Sequence, residues 1–146
     1  MLAAAEAAGS RAGEEAAERL AAAAAETGRD AGREGRRAAR EAEEAGRRAA
    51  RRARTEALDV GLGLLAAHLR DLAAVAEGAE DLVLNADRAT ELRAQARELD
   101  PRAARRGAEL VMDTRRRLLV NVGEELALEA LVYRLESLLS DRGGRS

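Results

Sequence analysis

From Ala57 onward the apolar positions recur at helical spacing. Leu58, Leu62, Leu65, Leu69, Leu72 and Ala76 follow a 4-3-4-3-4 rhythm, which sets them on one face of a first helix. Glu77-Gly78 ends it, with Gly78 as the residue just past the helix. Leu82-Val83-Leu84 is a short apolar run, read as a buried connector or a single turn. Asn85 or Asp87 can cap a second helix, Arg88 to Leu99, whose inner face is Leu92, Ala96 and Leu99. Asp100-Pro101 is a strong start for a third: Asp supplies an N-cap acceptor and Pro needs no N–H at the first position. This third helix is expected to reach about Val120, with Ala104, Ala108, Val111 and Leu118 inward. Asn121-Val122-Gly123 breaks it. A fourth begins near Glu124, its Glu124-Glu125 pair complementing the positive end of the helix dipole. Leu128, Leu131, Leu135 and Leu138 form its stripe, and Tyr133 lies off that line. Residues 141–146 read as a frayed polar tail.

No stretch alternates apolar and polar as a half-buried strand would. The pattern predicts an all-α chain: a compact bundle of four to five helices preceded by an Ala/Arg/Glu-rich helical segment. Four parts are expected: 1–26, an Ala-rich helical segment; 27–56, a basic Arg-rich helical linker; 57–140, the bundle; and 141–146, the tail.

The first 56 residues have almost no large apolar side chain, only Met1, Leu2 and Leu20. Ala-rich stretches favour helix. A face made of Ala buries little area, at ~25 cal/mol per Å². Gly9, Gly13, Gly28, Gly32, Gly35 and Gly46 each cost a helix up to ~1 kcal/mol relative to Ala. This third is therefore expected to lean on another part of a structure, or to be partly mobile.

Composition narrows the chemistry. The 25 cations are all Arg, set against 27 acids for a net charge of −2, and Ala supplies about a quarter of the chain. Lys, Cys, Phe, Trp and Ile are absent, and there is one His, one Tyr and one Pro. Abundant Ala, Gly and Arg with scarce Lys, Ile, Phe and Asn read as the imprint of a GC-rich genome. Without Cys there is no disulfide, thiolate nucleophile or zinc knuckle. Without Lys, and with no Gly-Lys-Ser/Thr turn, a P-loop is excluded. No apolar run approaches the ~20 residues of a membrane span, and no signal peptide is visible. We expect no cofactor, no metal, no small-molecule substrate, no membrane association and a cytoplasmic location.

His68 lies beside the leucine face, with Asp71 at i+3 as a hydrogen-bond acceptor. No spacing suggests a second catalytic group, so it reads as a half-buried or surface histidine. Glu43-Glu44 and Glu124-Glu125 are adjacent on helices and diverge, so neither forms a carboxylate dyad.

Charge shifts along the first third. Residues 1–26 carry two Arg and five Glu, net −3; residues 27–56 carry ten Arg and six acids, net +4. Arg47, Arg48, Arg51 and Arg52 belong to the densest run and spread over more than one helical face. Glu43–Arg47 and Glu44–Arg48 are favourable i,i+4 pairs. Arg115, Arg116 and Arg117 make a second cluster. A solvated, salt-bridged face explains both runs; the functional alternative is phosphate contact through Arg47, Arg48, Arg51, Arg52, Arg115 and Arg116. The lack of aromatic residues among them disfavours stacking on single strands.

Four stretches carry a family likeness: Arg51-Arg52-Ala53-Arg54-Thr55-Glu56-Ala57-Leu58-Asp59; His68-Leu69-Arg70-Asp71-Leu72; Leu82-Val83-Leu84-Asn85-Ala86-Asp87-Arg88; and Asn121-Val122-Gly123-Glu124-Glu125-Leu126-Ala127-Leu128-Glu129-Ala130-Leu131. In order and spacing they resemble the C-terminal collar domain of the bacterial DNA polymerase III clamp-loader subunit delta-prime, of the high-GC actinobacterial type. The gamma/tau subunits carry a related collar. The likeness covers about three fifths of the chain, and it departs from the family where Gly123-Glu124-Glu125 replaces Asn-Pro-Arg.

The resemblance implies a non-catalytic replication accessory protein. Its collar would join other clamp-loader subunits in a hetero-oligomer that loads the sliding clamp onto primed DNA, with DNA met weakly or indirectly. The subunit-interface candidates are Leu128, Leu131, Leu135 and Leu138. The resemblance also implies that residues 1–26 are a remnant of a lid domain or the start of the collar, and that the chain is a piece of a longer subunit. The alternative is a stand-alone Arg-rich helical protein, nucleic-acid-binding or structural.

Overall fold

In a computed structural model, the structure describes residues 2–26, 33–120 and 123–140. Among them are five α-helices and no strand: α1 (Leu2–Glu26), α2 (Arg33–Ala76), α3 (Ala89–Ala96), α4 (Pro101–Leu118) and α5 (Glu124–Ser140). The protein is all-α, as the periodicity predicts. Part of the expected linker (27–32), Asn121-Val122 and the tail lie outside the described residues.

The chain divides into two compact units between Gly61 and Leu62, inside α2. The expected change of character near Thr55 thus falls within a continuous helix.

In the first unit α1 and the first part of α2 form an antiparallel hairpin with a seam of small residues. Ala5, Gly9, Gly13 and Ala17 recur every four residues on α1; Ala42, Gly46 and Ala50 do so on α2. A Cβ built on Gly13 would lie 3.2 Å from the Gly46 carbonyl oxygen, and one on Gly46 would lie 2.9 Å from the Gly13 oxygen. A Cβ on Gly9 would come within 3.0 Å of the Ala50 oxygen. The backbones approach so closely that glycine is required at the crossing, and Cα–H···O contacts become available there. Ala5 and Ala42 are buried beside it. The first third is expected to lean on another part of a structure or to be partly mobile; here α1 and α2 lean on each other, and two of the glycines counted as helix weaknesses meet face to face.

In the second unit the core is Leu62, Ala66, Leu69, Leu72 and Ala73 of α2, Leu92 and Ala96 of α3, Ala103, Ala104 and Val111 of α4, and Leu128 and Leu131 of α5. α2 ends where expected. Gly78 has φ +76°, its N–H donates to the Val75 carbonyl, and the Ala79 N–H reaches back to the Ala74 carbonyl. This paired closure of the last turn is what a left-handed glycine permits. Asp100 caps α4 by accepting from the Arg102 N–H at 2.9 Å, with Pro101 at the first position. Gly107 is buried where a Cβ would lie 3.2 Å from Leu69 Cδ1 and 3.3 Å from Leu135 Cδ2.

Two local expectations are corrected. α3 stops at Ala96, not Leu99. Asp100 precedes a proline and is held extended, ψ 118°, so the chain must leave the helical region before it. Neither Asn85 nor Asp87 caps α3; a 3-10 turn, Ala86–Arg88, leads into it, and no side-chain cap is made.

Candidate functional site

The connector between α2 and α3 is pinned from beneath by one buried acid. Asp71 lies on α2 between Leu69 and the Leu72-Ala73 pair, and it is fully shielded from solvent. Its Oδ1 accepts from the Leu84 N–H at 3.0 Å; its Oδ2 accepts from the Asn85 N–H at 3.0 Å and from Asn85 Nδ2 at 2.6 Å. Arg70 Nη2 donates to the Leu82 carbonyl at 3.4 Å. Burial pushes the Asp71 carboxyl up. The donors from Leu84 and Asn85, aided by the Arg70 charge, outweigh it and hold the group below its ordinary value. Arg93 forks onto Glu80, with its Nε 2.9 Å from Oε1, and Arg105 pairs with Glu77.

Tied down in this way, the connector presents its apolar side chains outward. Leu82 and Leu84 are 62% and 63% exposed, which corrects the buried-connector reading of this run; its alternative, a single turn, is present as the 3-10 turn Glu80–Leu82. Polar backbone, not leucine, makes the inward contact. Asn85 is committed to Asp71, so it is a clamp residue and not a helix cap.

α5 has two apolar faces. Leu128 and Leu131 are buried in the core of the second unit, and Leu135 and Leu138 are half-buried. Leu135 reaches the Gly107 position of α4. The expectation that these leucines await a neighbouring subunit is therefore corrected for Leu128 and Leu131, which are used up within the chain. The opposite side carries Leu126, Ala130 and Tyr133 at i, i+4 and i+7, all exposed. Tyr133 is 74% exposed and Leu126 72%. This second face escaped sequence reasoning because the leucine stripe dominates the pattern; the 4-3 spacing of Leu126, Ala130 and Tyr133 was the available signal.

The basic candidates separate. Arg47 and Arg48 pair with Glu43 at 3.3 Å and Glu44 at 3.5 Å, as their spacing predicts, and Arg51 and Arg52 are exposed. Arg116 and Arg117 share Asp113, at 3.6 and 2.8 Å. Arg115 is half-buried, its guanidinium 3.9 Å from where a Gly63 Cβ would be. Arg47, Arg48, Arg51 and Arg52 belong to the first unit, and Arg115 and Arg116 to the second.

His68 is half-buried, and Asp71, its expected acceptor, turns its carboxylate to the connector. Among the described residues no group of three or more His, Asp or Glu is placed to hold a metal ion. No helix of the described residues is long and apolar enough to cross a membrane. No protein-family model, curated protein or solved structure matches this chain.

Proposed function

We propose that this chain is a non-catalytic docking protein of DNA replication. In this reading it supplies a collar-type helical bundle through which a clamp-loader subunit joins its partners in the cytoplasm. One observation supports the reading most. Two of the four stretches that carry the family likeness, His68–Leu72 and Leu82–Arg88, meet in space: Asp71 of the first binds Leu84 and Asn85 of the second. Those residues then form one structural device, the clamp that fixes the connector and displays Leu82 and Leu84. The docking surface we assign is the outer face of α5, Leu126, Ala130 and Tyr133, in place of the buried leucines.

Co-expression with the other subunits of an actinobacterial clamp loader, followed by gel filtration, tests this. The chain should co-elute with them, and the Leu126→Asp, Tyr133→Asp double variant should lose co-elution while keeping its helicity. A wild-type chain that elutes alone at micromolar concentration overturns the proposal.

A further inference from the structure

The continuity of α2 puts into register arginines that the sequence scatters. At 3.6 residues per turn, Arg36, Arg40, Arg47 and Arg51 (spacing 4-7-4) fall within a sector of about 60°. All four are exposed. They span sixteen residues, or about 22 Å along the helix axis. The neighbouring sector is different. There Arg37 pairs with Glu41 at 2.9 Å and Arg48 with Glu44 at 3.5 Å, so its charges cancel. On the first line, Glu43 sits at the edge and pairs with Arg47. Arg36, Arg40 and Arg51 have no acidic partner among the described residues. The same turn-by-turn periodicity that aligns the small-residue seam toward α1 leaves this line on the flank of the hairpin, outside the seam.

We infer that the line Arg36–Arg40–Arg47–Arg51 is a binding surface for the phosphate backbone of duplex DNA, read without regard to sequence. The occupant follows from the chemistry of the line. Guanidinium groups are suited to phosphate oxygens. The hairpin contains no aromatic side chain on which an unpaired base could stack, so single strands lack their usual anchor. A continuous helix with cations on one line presents them at a regular rise to the phosphates of a regular duplex. Among the described residues Arg36, Arg40 and Arg51 are not engaged in holding the hairpin together, so contact with DNA requires no rearrangement there. The inference is independent of the proposed docking role: it concerns the first unit, and the α5 face belongs to the second.

Fluorescence anisotropy with the full chain and a short mixed-sequence duplex, across a salt series, decides it. Each phosphate contact contributes about −0.9 to the slope of log affinity against log salt, so three to four contacts give a slope of about −3. Arg36→Gln, Arg40→Gln and Arg51→Gln together should weaken binding about tenfold or more at low salt and bring the slope to about −1. The Arg37→Gln, Arg48→Gln pair on the cancelled line should change affinity less than about threefold. A triple Arg-to-Lys variant at positions 36, 40 and 51, which keeps the charges, should retain the slope and guards against a folding defect in the Gln variant. Absence of salt-dependent binding by the wild-type chain, equal losses from the two lines, or tighter binding to a single strand than to the duplex would overturn the inference.

Discussion

A carboxylate removed from water is costly unless its lone pairs are filled, and Asp71 fills three of about four, all with donors from Leu84 and Asn85. In the folded state its pKa is held below the ordinary value, so the sign of its linkage to stability is fixed. The stabilisation is fully present above the unfolded-chain value near 3.8 and is lost as pH falls through the lower, folded value. Asp71→Asn would set an amide N–H against backbone donors. It should cost about 2 kcal/mol in urea unfolding near neutral pH. It should also flatten the loss of stability that the wild type shows below about pH 4. Identical unfolding midpoints for the two proteins would show that the clamp does not stabilise the fold. A helical register offers Asp71 the i,i+3 neighbour His68 as a partner. Its true partners lie 13 and 14 residues on, across a turn whose path depends on Gly78.

The two helices of the hairpin illustrate how far propensity can mislead when tertiary contact decides. Gly46 is a poor helix residue by itself, yet its missing side chain is the space in which the Gly13 carbonyl sits. Gly46→Ala gains up to ~1 kcal/mol of helix propensity. It also forces a methyl to 2.9 Å from a backbone oxygen that cannot swing aside. Overpacking of that kind costs about 1–3 kcal/mol, so the net effect should be a destabilisation of about 1 kcal/mol. Gly123→Ala meets nothing within 4 Å and serves as the control. Amide hydrogen exchange checks this locally: α1 protection should fall in Gly46→Ala and not in Gly123→Ala. The helices of the second unit were legible because Leu at 3-4 spacing, an Asp-Pro start and a Gly stop all agree, and α4 and α5 begin at Pro101 and Glu124 as expected. The hairpin was less so. Its Ala and Gly repeat every four residues in plain sight, but area arithmetic counts Ala as weak burial and has no entry for two backbones in near contact.

For the molecule as a whole, α5 decides what a mutational test of docking can mean. A leucine stripe says that a helix has a partner; it does not say whether that partner is in the same chain. Here it is: Leu131 is 4% exposed within the second unit, while Tyr133, two residues away, points to solvent. Leu131→Asp would place a carboxylate in an apolar core with no donor from the sequence to meet it. It should cost about 4 kcal/mol or more, enough to unfold a unit of this size. Tyr133→Asp should stay within about 0.5 kcal/mol of wild type. Circular dichroism melts of the two variants separate the cases: a lowered transition and reduced helicity for Leu131→Asp, and a superimposable curve for Tyr133→Asp. If both variants melt as the wild type does, Leu131 is not the core residue its burial indicates. If both collapse, the outer face of α5 is part of the fold and cannot serve as a free docking surface. Only the expected split leaves loss of partner binding by Tyr133→Asp interpretable as loss of an interface, because the same loss by Leu131→Asp would follow from unfolding alone.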